Sequence, residues 1–88
     1  MDEKRKRILD RFKRIEGQLR GLQKMIENRG PCEDILVQVA AVTAAMKRAG
    51  AAVIQAYMEE CMDNKAGRNP EEAMTDFQKA LRRYVDLA

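Results

Sequence analysis

Ile8, Phe12, Ile15, Leu19, Leu22 and Ile26 stand at alternating steps of four and three, the spacing of a helix that lays one face on other helices. A first helix is predicted from about Lys4 to Asn28. Asn28, Arg29 and Gly30 mark its end, with Gly30 expected in the left-handed turn and Pro31 at the first position of the next helix. That second helix is predicted from Pro31 to Asp63. Ile35, Val39, Val42, Met46, Ala49, Val53 and Ala56 keep the same steps, and Ala40, Ala41, Ala44, Ala45, Gly50, Ala51 and Ala52 widen its apolar surface. Lys65 to Arg68 reads as a polar connector. Asn69, Pro70 and Glu72 then form a capping signature, and Met74, Phe77, Leu81 and Tyr84 are the buried stripe expected of a third helix. Gly17 and Gly21 each cost the first helix about 1 kcal/mol relative to alanine, so close approach of another backbone is expected there.

The pattern makes the chain all-α, with residues 1–88 as one domain. At 88 residues it buries a modest share of its surface when folded alone, so a partner is expected. The apolar residues are spaced rather than continuous and the N-terminus is charged, which argues against a membrane span or a secretory signal. The cytoplasm is the default compartment.

Charge sharpens this picture. The net +3 is uneven: residues 1–29 carry ten Lys/Arg against five Asp/Glu, residues 30–63 two against five, and residues 64–88 five against four. On the first helix Lys4, Arg7, Arg11, Arg14 and Gln18 share one face. Such a stripe is an ordinary solvated face about half the time, or a surface for a polyanion such as DNA. Lys47, near the middle of the second helix, extends a basic surface by its long stem, and Arg48 adds to it.

Cys32 and Cys61 are the only cysteines, and 29 residues separate them on one predicted helix. At about 1.5 Å per residue they lie roughly 43 Å apart, beyond any disulfide or shared metal within one chain. Yet 29 steps of about 100° return to within roughly 20° of the same face. A second copy packed antiparallel sets Cys32 beside the other chain's Cys61, twice by symmetry. Paired numbers then sum to 93, placing Ile35 near Met58, Val39 near Ile54, Val42 near Ala51, and Met46 near Lys47. The competing reading is two buried cysteines acting as small hydrophobes.

The run Arg11-Phe-Lys-Arg-Ile-Glu-Gly-Gln-Leu-Arg-Gly21, with Cys32, Ile35-Leu-Val-Gln38 and Cys61 after it, resembles the copper-sensitive operon repressor family (CsoR/RcnR/FrmR). The resemblance covers nearly the whole chain. It implies a three-helix protomer, an antiparallel helical-bundle dimer, and a dimer-of-dimers homotetramer. It also implies a cytoplasmic repressor that leaves double-stranded operator DNA when an inducer reaches the cysteines. First-helix basic residues aligning with Arg11 and Arg14 serve operator binding in that family. Arg7, Gln18 and Lys47 complete the expected DNA-contacting set.

Departures from the family pattern bear on the inducer. Its copper sensors carry a histidine four residues before the second cysteine, where this chain has Tyr57, and the chain has no histidine at all. A Cu(I) site of two thiolates and one imidazole is thereby excluded, and imidazole-rich nickel or cobalt sites more firmly. Pro31 replaces the copper sensors' tyrosine before the first cysteine, and Phe77 their third-helix glutamate. Two thiols without other ligands are similar to the persulfide-sensing branch (CstR), so no cofactor and no metal site is expected.

At the positive end of the long helix Cys32 is the candidate nucleophile, although Glu33 and Asp34 oppose the dipole there. Cys61, beside Glu59, Glu60 and Asp63, is the candidate resolving thiol. Low-molecular-weight persulfides or polysulfides are then the inducers, leaving a di-, tri- or tetrasulfide between chains. The alternatives are a Cu(I)-responsive repressor using the two thiolates alone and a thiol-based sulfur-transfer protein. Without a histidine base or a pocket-forming loop, an enzyme is not expected.

Overall fold

The computed structural model describes residues 2–62 and 69–87, with the backbone alone for 60–62. The chain forms α1 (Asp2–Glu27), α2 (Cys32–Met62) and α3 (Pro70–Leu87), matching the three predicted helices. The expected connector at Lys65 to Arg68 and the helix end at Asp63 lie outside the described residues.

The α1–α2 turn shows how local chemistry sets a boundary. The Gly30 amide donates to the Met25 carbonyl at 2.8 Å and the Arg29 amide to that of Ile26 at 3.1 Å, the two bonds of a Schellman ending. Arg29 takes the left-handed conformation, with φ at 54°. The sequence reading assigned that role to Gly30. Gly30 instead lies where an added Cβ meets the Met25 carbonyl oxygen at 3.3 Å. Pro31 accepts the first amide bond of α2, from Ile35 at 3.1 Å, so it caps the helix from just outside. At α3 the capping signature holds: the Asn69 Oδ1 accepts from the Glu71 amide at 3.0 Å.

α1 and α2 form an antiparallel hairpin. Ile8 lies beside Ala52 and Ala56, and Ile15 beside Ala45, so bulky residues of α1 settle against small ones of α2. Ala49 and Ala56 are buried there. Small side chains let the axes approach closely, which is what the alanine enrichment of α2 provides. Gly17 and Gly21 have nothing near their absent Cβ positions, so the expected close approach does not occur at either within the protomer. It occurs at Gly50, where a Cβ would stand 2.7 Å from the Tyr84 hydroxyl oxygen of α3.

The packing leaves much apolar surface open. Buried hydrophobic residues are Ile8, Ile15, Ala49, Ala56 and Ala73, and no large side chain among the described residues is fully enclosed. Leu19 and Ile26, expected in the buried stripe of α1, are 44% and 57% exposed. Leu36 and Val37 are exposed further still, at 62% and 68%. A slab of 54 × 28 × 15 Å is little more than one layer of helices, so these side chains have nothing in their own chain to cover them. Tyr84 is likewise 40% exposed rather than buried.

Segment Cys32–Glu59 is long and apolar enough to cross a membrane by length and composition, against the expectation that the chain holds no such stretch. Valine, isoleucine and leucine, together with the many alanines, raise this hydropathy. Lys47 and Arg48, near the segment's midpoint, would each cost roughly 2.5 to 3.5 kcal/mol at a bilayer centre. The same surface suits helix packing in water.

Candidate nucleic-acid interface and thiol site

The α1–α2 hairpin aligns the cations that the sequence placed on one face. A cleft of about 220 Å³ is lined by Lys4, Arg7, Ile8, Arg11, Ala52, Gln55 and Ala56. A second, of about 200 Å³, is lined by Arg11, Arg14, Ile15, Gln18, Ala45 and Arg48. Arg11 borders both, so the two form one trough. No carboxylate lines either cleft. From Lys4 to Gln18 the trough runs about 21 Å along α1 at helical rise, and each step along it is one helical turn. An extended polyanion is the ligand such a row accepts.

Four of the five expected DNA-contacting residues, Arg7, Arg11, Arg14 and Gln18, line this trough. Lys47 lines neither cleft, whereas its neighbour Arg48 joins Arg11 and Arg14. One residue along a helix is a turn of about 100°, which moves a side chain to a different face. Gln55 is an addition that its sequence context did not signal. The Gln18 Oε1 is buried without a hydrogen-bond partner among the described residues. At the open end of the trough, Lys4 is ion-paired with Glu59 of α2.

The two cysteine positions stand at the ends of α2 by its backbone. Cys32 is its first residue, a free and exposed thiol, with Glu33 and Asp34 in the same first turn. Within the protomer Cys32 is therefore not buried. Cys61 belongs to the last turn by its backbone, and its side chain lies outside the described residues. Because Cys32–Met62 is one unbroken helix, the two positions stay roughly 43 Å apart along the axis. They cannot meet within a protomer.

α3 adds a constraint on how another helix approaches. Gly50 lies eighteen residues after Cys32, five full turns, and so on the same face. Tyr84 covers that face at its middle. A partner helix laid straight along the cysteine face meets Tyr84 there and has to pass beside it.

No group of three or more His, Cys, Asp or Glu that could hold a metal exists among the described residues. Tyr57, at the position that the resemblance gives to a histidine, is exposed. Phe77, at the position given to a glutamate, is half-buried.

Comparison with known proteins adds lineage to this geometry. The family model described as "Metal-sensitive transcriptional repressor" matches residues 4–83. The chain is 39% identical over 80 residues to the copper-sensing transcriptional repressor CsoR of Bacillus subtilis, covering 89% of this chain and 78% of that protein. It is 30% identical over 78 residues to the copper-sensing transcriptional repressor RicR of Mycobacterium tuberculosis, covering 85% and 81%. Among solved structures, CsoR with Cu(I) from Geobacillus thermodenitrificans superposes with a TM-score of 0.83 at 30% identity, over 97% of this chain and 90% of that one. The nickel-responsive regulator InrS gives 0.74 at 34% identity, over 90% of each. These relatives are regulators of transcription rather than enzymes. With a family model spanning nearly the whole sequence, and helical repressors as its structural neighbours, the chain belongs to the metal-sensitive transcriptional repressor family of CsoR type.

Proposed function

We propose that this protein is a cytoplasmic repressor that binds operator DNA through the α1–α2 trough and releases it when a thiol-seeking inducer joins Cys32 to Cys61 of a second subunit. The observation that carries this reading is a single unbroken helix with an exposed thiol at one end, a second cysteine 29 residues on, and no imidazole in the chain. Two antiparallel protomers supply both thiols to each of two sites, and the apolar residues left open on α1 and α2 supply the interface. Pairs of such dimers form the proposed tetramer.

The relatives do not decide the inducer by themselves, since copper and nickel regulators match at comparable identity. The chain's own donors therefore carry weight. Nickel sites rich in imidazole have no ligands here. A low-molecular-weight persulfide fits a pair of bare thiols: the Cys32 thiolate takes the sulfane sulfur and releases the carrier as a thiol. The partner's Cys61 thiolate then attacks the Cys32 sulfur and expels hydrosulfide, leaving a disulfide. If both cysteines are first persulfidated, the same attack leaves a trisulfide, again with one hydrosulfide lost. In each case the inducer is reduced and the dithiol oxidised.

Cu(I) is the second reading, and the relatives support it better than they support persulfide: two are copper sensors by name, and one solved structure holds Cu(I). In this chain the ion would have the two thiolates as its ligands, a soft donor pair suited to it. One experiment separates the readings. Reduced protein on a fluorescent duplex, selected from a random library, is titrated with a persulfide, or with Cu(I) against a strong chelator. Release by persulfide, with a cross-linked dimer by intact mass, supports the first. Release by chelator-buffered Cu(I) alone supports the second. Full release of a Cys32→Ala variant by either inducer removes the dithiol site from both.

A further inference from the structure

We propose that Glu59 competes with DNA for Lys4, so that the Lys4–Glu59 ion pair is an intramolecular brake on operator binding, placed at the thiol-bearing end of α2. The inference rests on the trough being the DNA surface. The hairpin register creates the pair: Ile8 lies beside Ala56, Lys4 stands one turn before Ile8, and Glu59 one turn after Ala56. Lys4 lines the same cleft as Arg7 and Arg11. Glu59 therefore holds a carboxylate where the next phosphate along this row of cations would lie.

The pair is exposed, with side chains 51% and 45% accessible, and exposed ion pairs are weak in water. It can be displaced. A phosphate that also releases condensed counterions is the stronger partner at low salt. Glu59 is two residues before Cys61 on one continuous helix, so an inducer that pulls on the end of α2 changes how firmly Glu59 holds Lys4. By linkage, DNA that takes Lys4 from Glu59 alters inducer affinity by the same factor.

The test measures operator affinity from 50 to 200 mM salt, using the selected duplex and full-length wild type, K4Q, E59Q, the double variant, E71Q and R11A. E71Q removes one negative charge from the exposed start of α3, at a residue that lines neither cleft. The expected result is tighter binding by E59Q with a salt slope steeper by up to about 0.9, which makes its advantage about 3.5-fold larger at 50 mM than at 200 mM. Adding K4Q abolishes that gain, and E71Q leaves the slope unchanged. If R11A loses affinity while E59Q matches E71Q, or if the E59Q gain persists beside K4Q, the brake is overturned and the DNA surface stands. If R11A binds as wild type does, both fall.

Discussion

Gly50 offers a sharp test of how α3 is seated. An added Cβ there lies 2.7 Å from the Tyr84 hydroxyl oxygen, 3.4 Å from Cζ and 3.5 Å from Cε2. The first distance is far inside contact, and the other two are close to ordinary. Overpacking of this kind costs about 1 to 3 kcal/mol, while replacing a mid-helix glycine by alanine contributes about 1 kcal/mol of propensity. Gly50→Ala alone is therefore expected to destabilise the protein by about 1 kcal/mol. Removing only the hydroxyl, with Tyr84→Phe, takes away the atom that clashes. In the Y84F background G50A should stabilise by about 1 kcal/mol, so the two substitutions couple by about 2 kcal/mol. The assay is thermal unfolding followed by helical circular dichroism at one fixed protein concentration, because association shifts Tm. Each kcal/mol corresponds to roughly 4 to 8 °C in a domain of this size. If G50A raises Tm equally in both backgrounds, Tyr84 does not rest on Gly50, and the placement of α3 across the cysteine face is wrong.

Other consequences are open to direct measurement. Arg11→Ala, Arg14→Ala and Arg48→Ala should each weaken operator binding and flatten its salt slope by about 0.9, whereas Lys47→Ala should do so less; equal effects at 47 and 48 would contradict the trough. Arg29→Gly should stabilise the chain by about 0.5 to 1 kcal/mol by relieving a left-handed residue, and a fall in urea midpoint would refute this. Asn69→Ala should cost about 1 kcal/mol through the lost cap of α3, read from the same unfolding curves. Persulfide-treated Cys61→Ala should remain monomeric in denaturing intact-mass spectra, and a cross-linked dimer from it would exclude the proposed resolving thiol.

Sequence periodicity by itself determined three helices and their approximate ends. Steps of three and four, the Asn69-Pro70 start and the Gly30-Pro31 break are local signals, carried within a turn or two of backbone. It also determined that α2 keeps its two cysteines apart, since helical rise is set by residue count alone. The basic face of α1 was legible for the same reason. Tertiary structure decided what no periodic count contains: which residues of α2 face that stripe, so that Arg48 and Gln55 join the trough and Lys47 does not, and that Glu59 reaches Lys4. It also decided that Gly50, rather than Gly17 or Gly21, is the glycine against which another element packs, and that Arg29 adopts the left-handed turn that Gly30 was expected to take. Such outcomes depend on the register between helices, which is set by how isoleucines of α1 settle among alanines of α2, and a one-residue change in that register turns a side chain by about 100°.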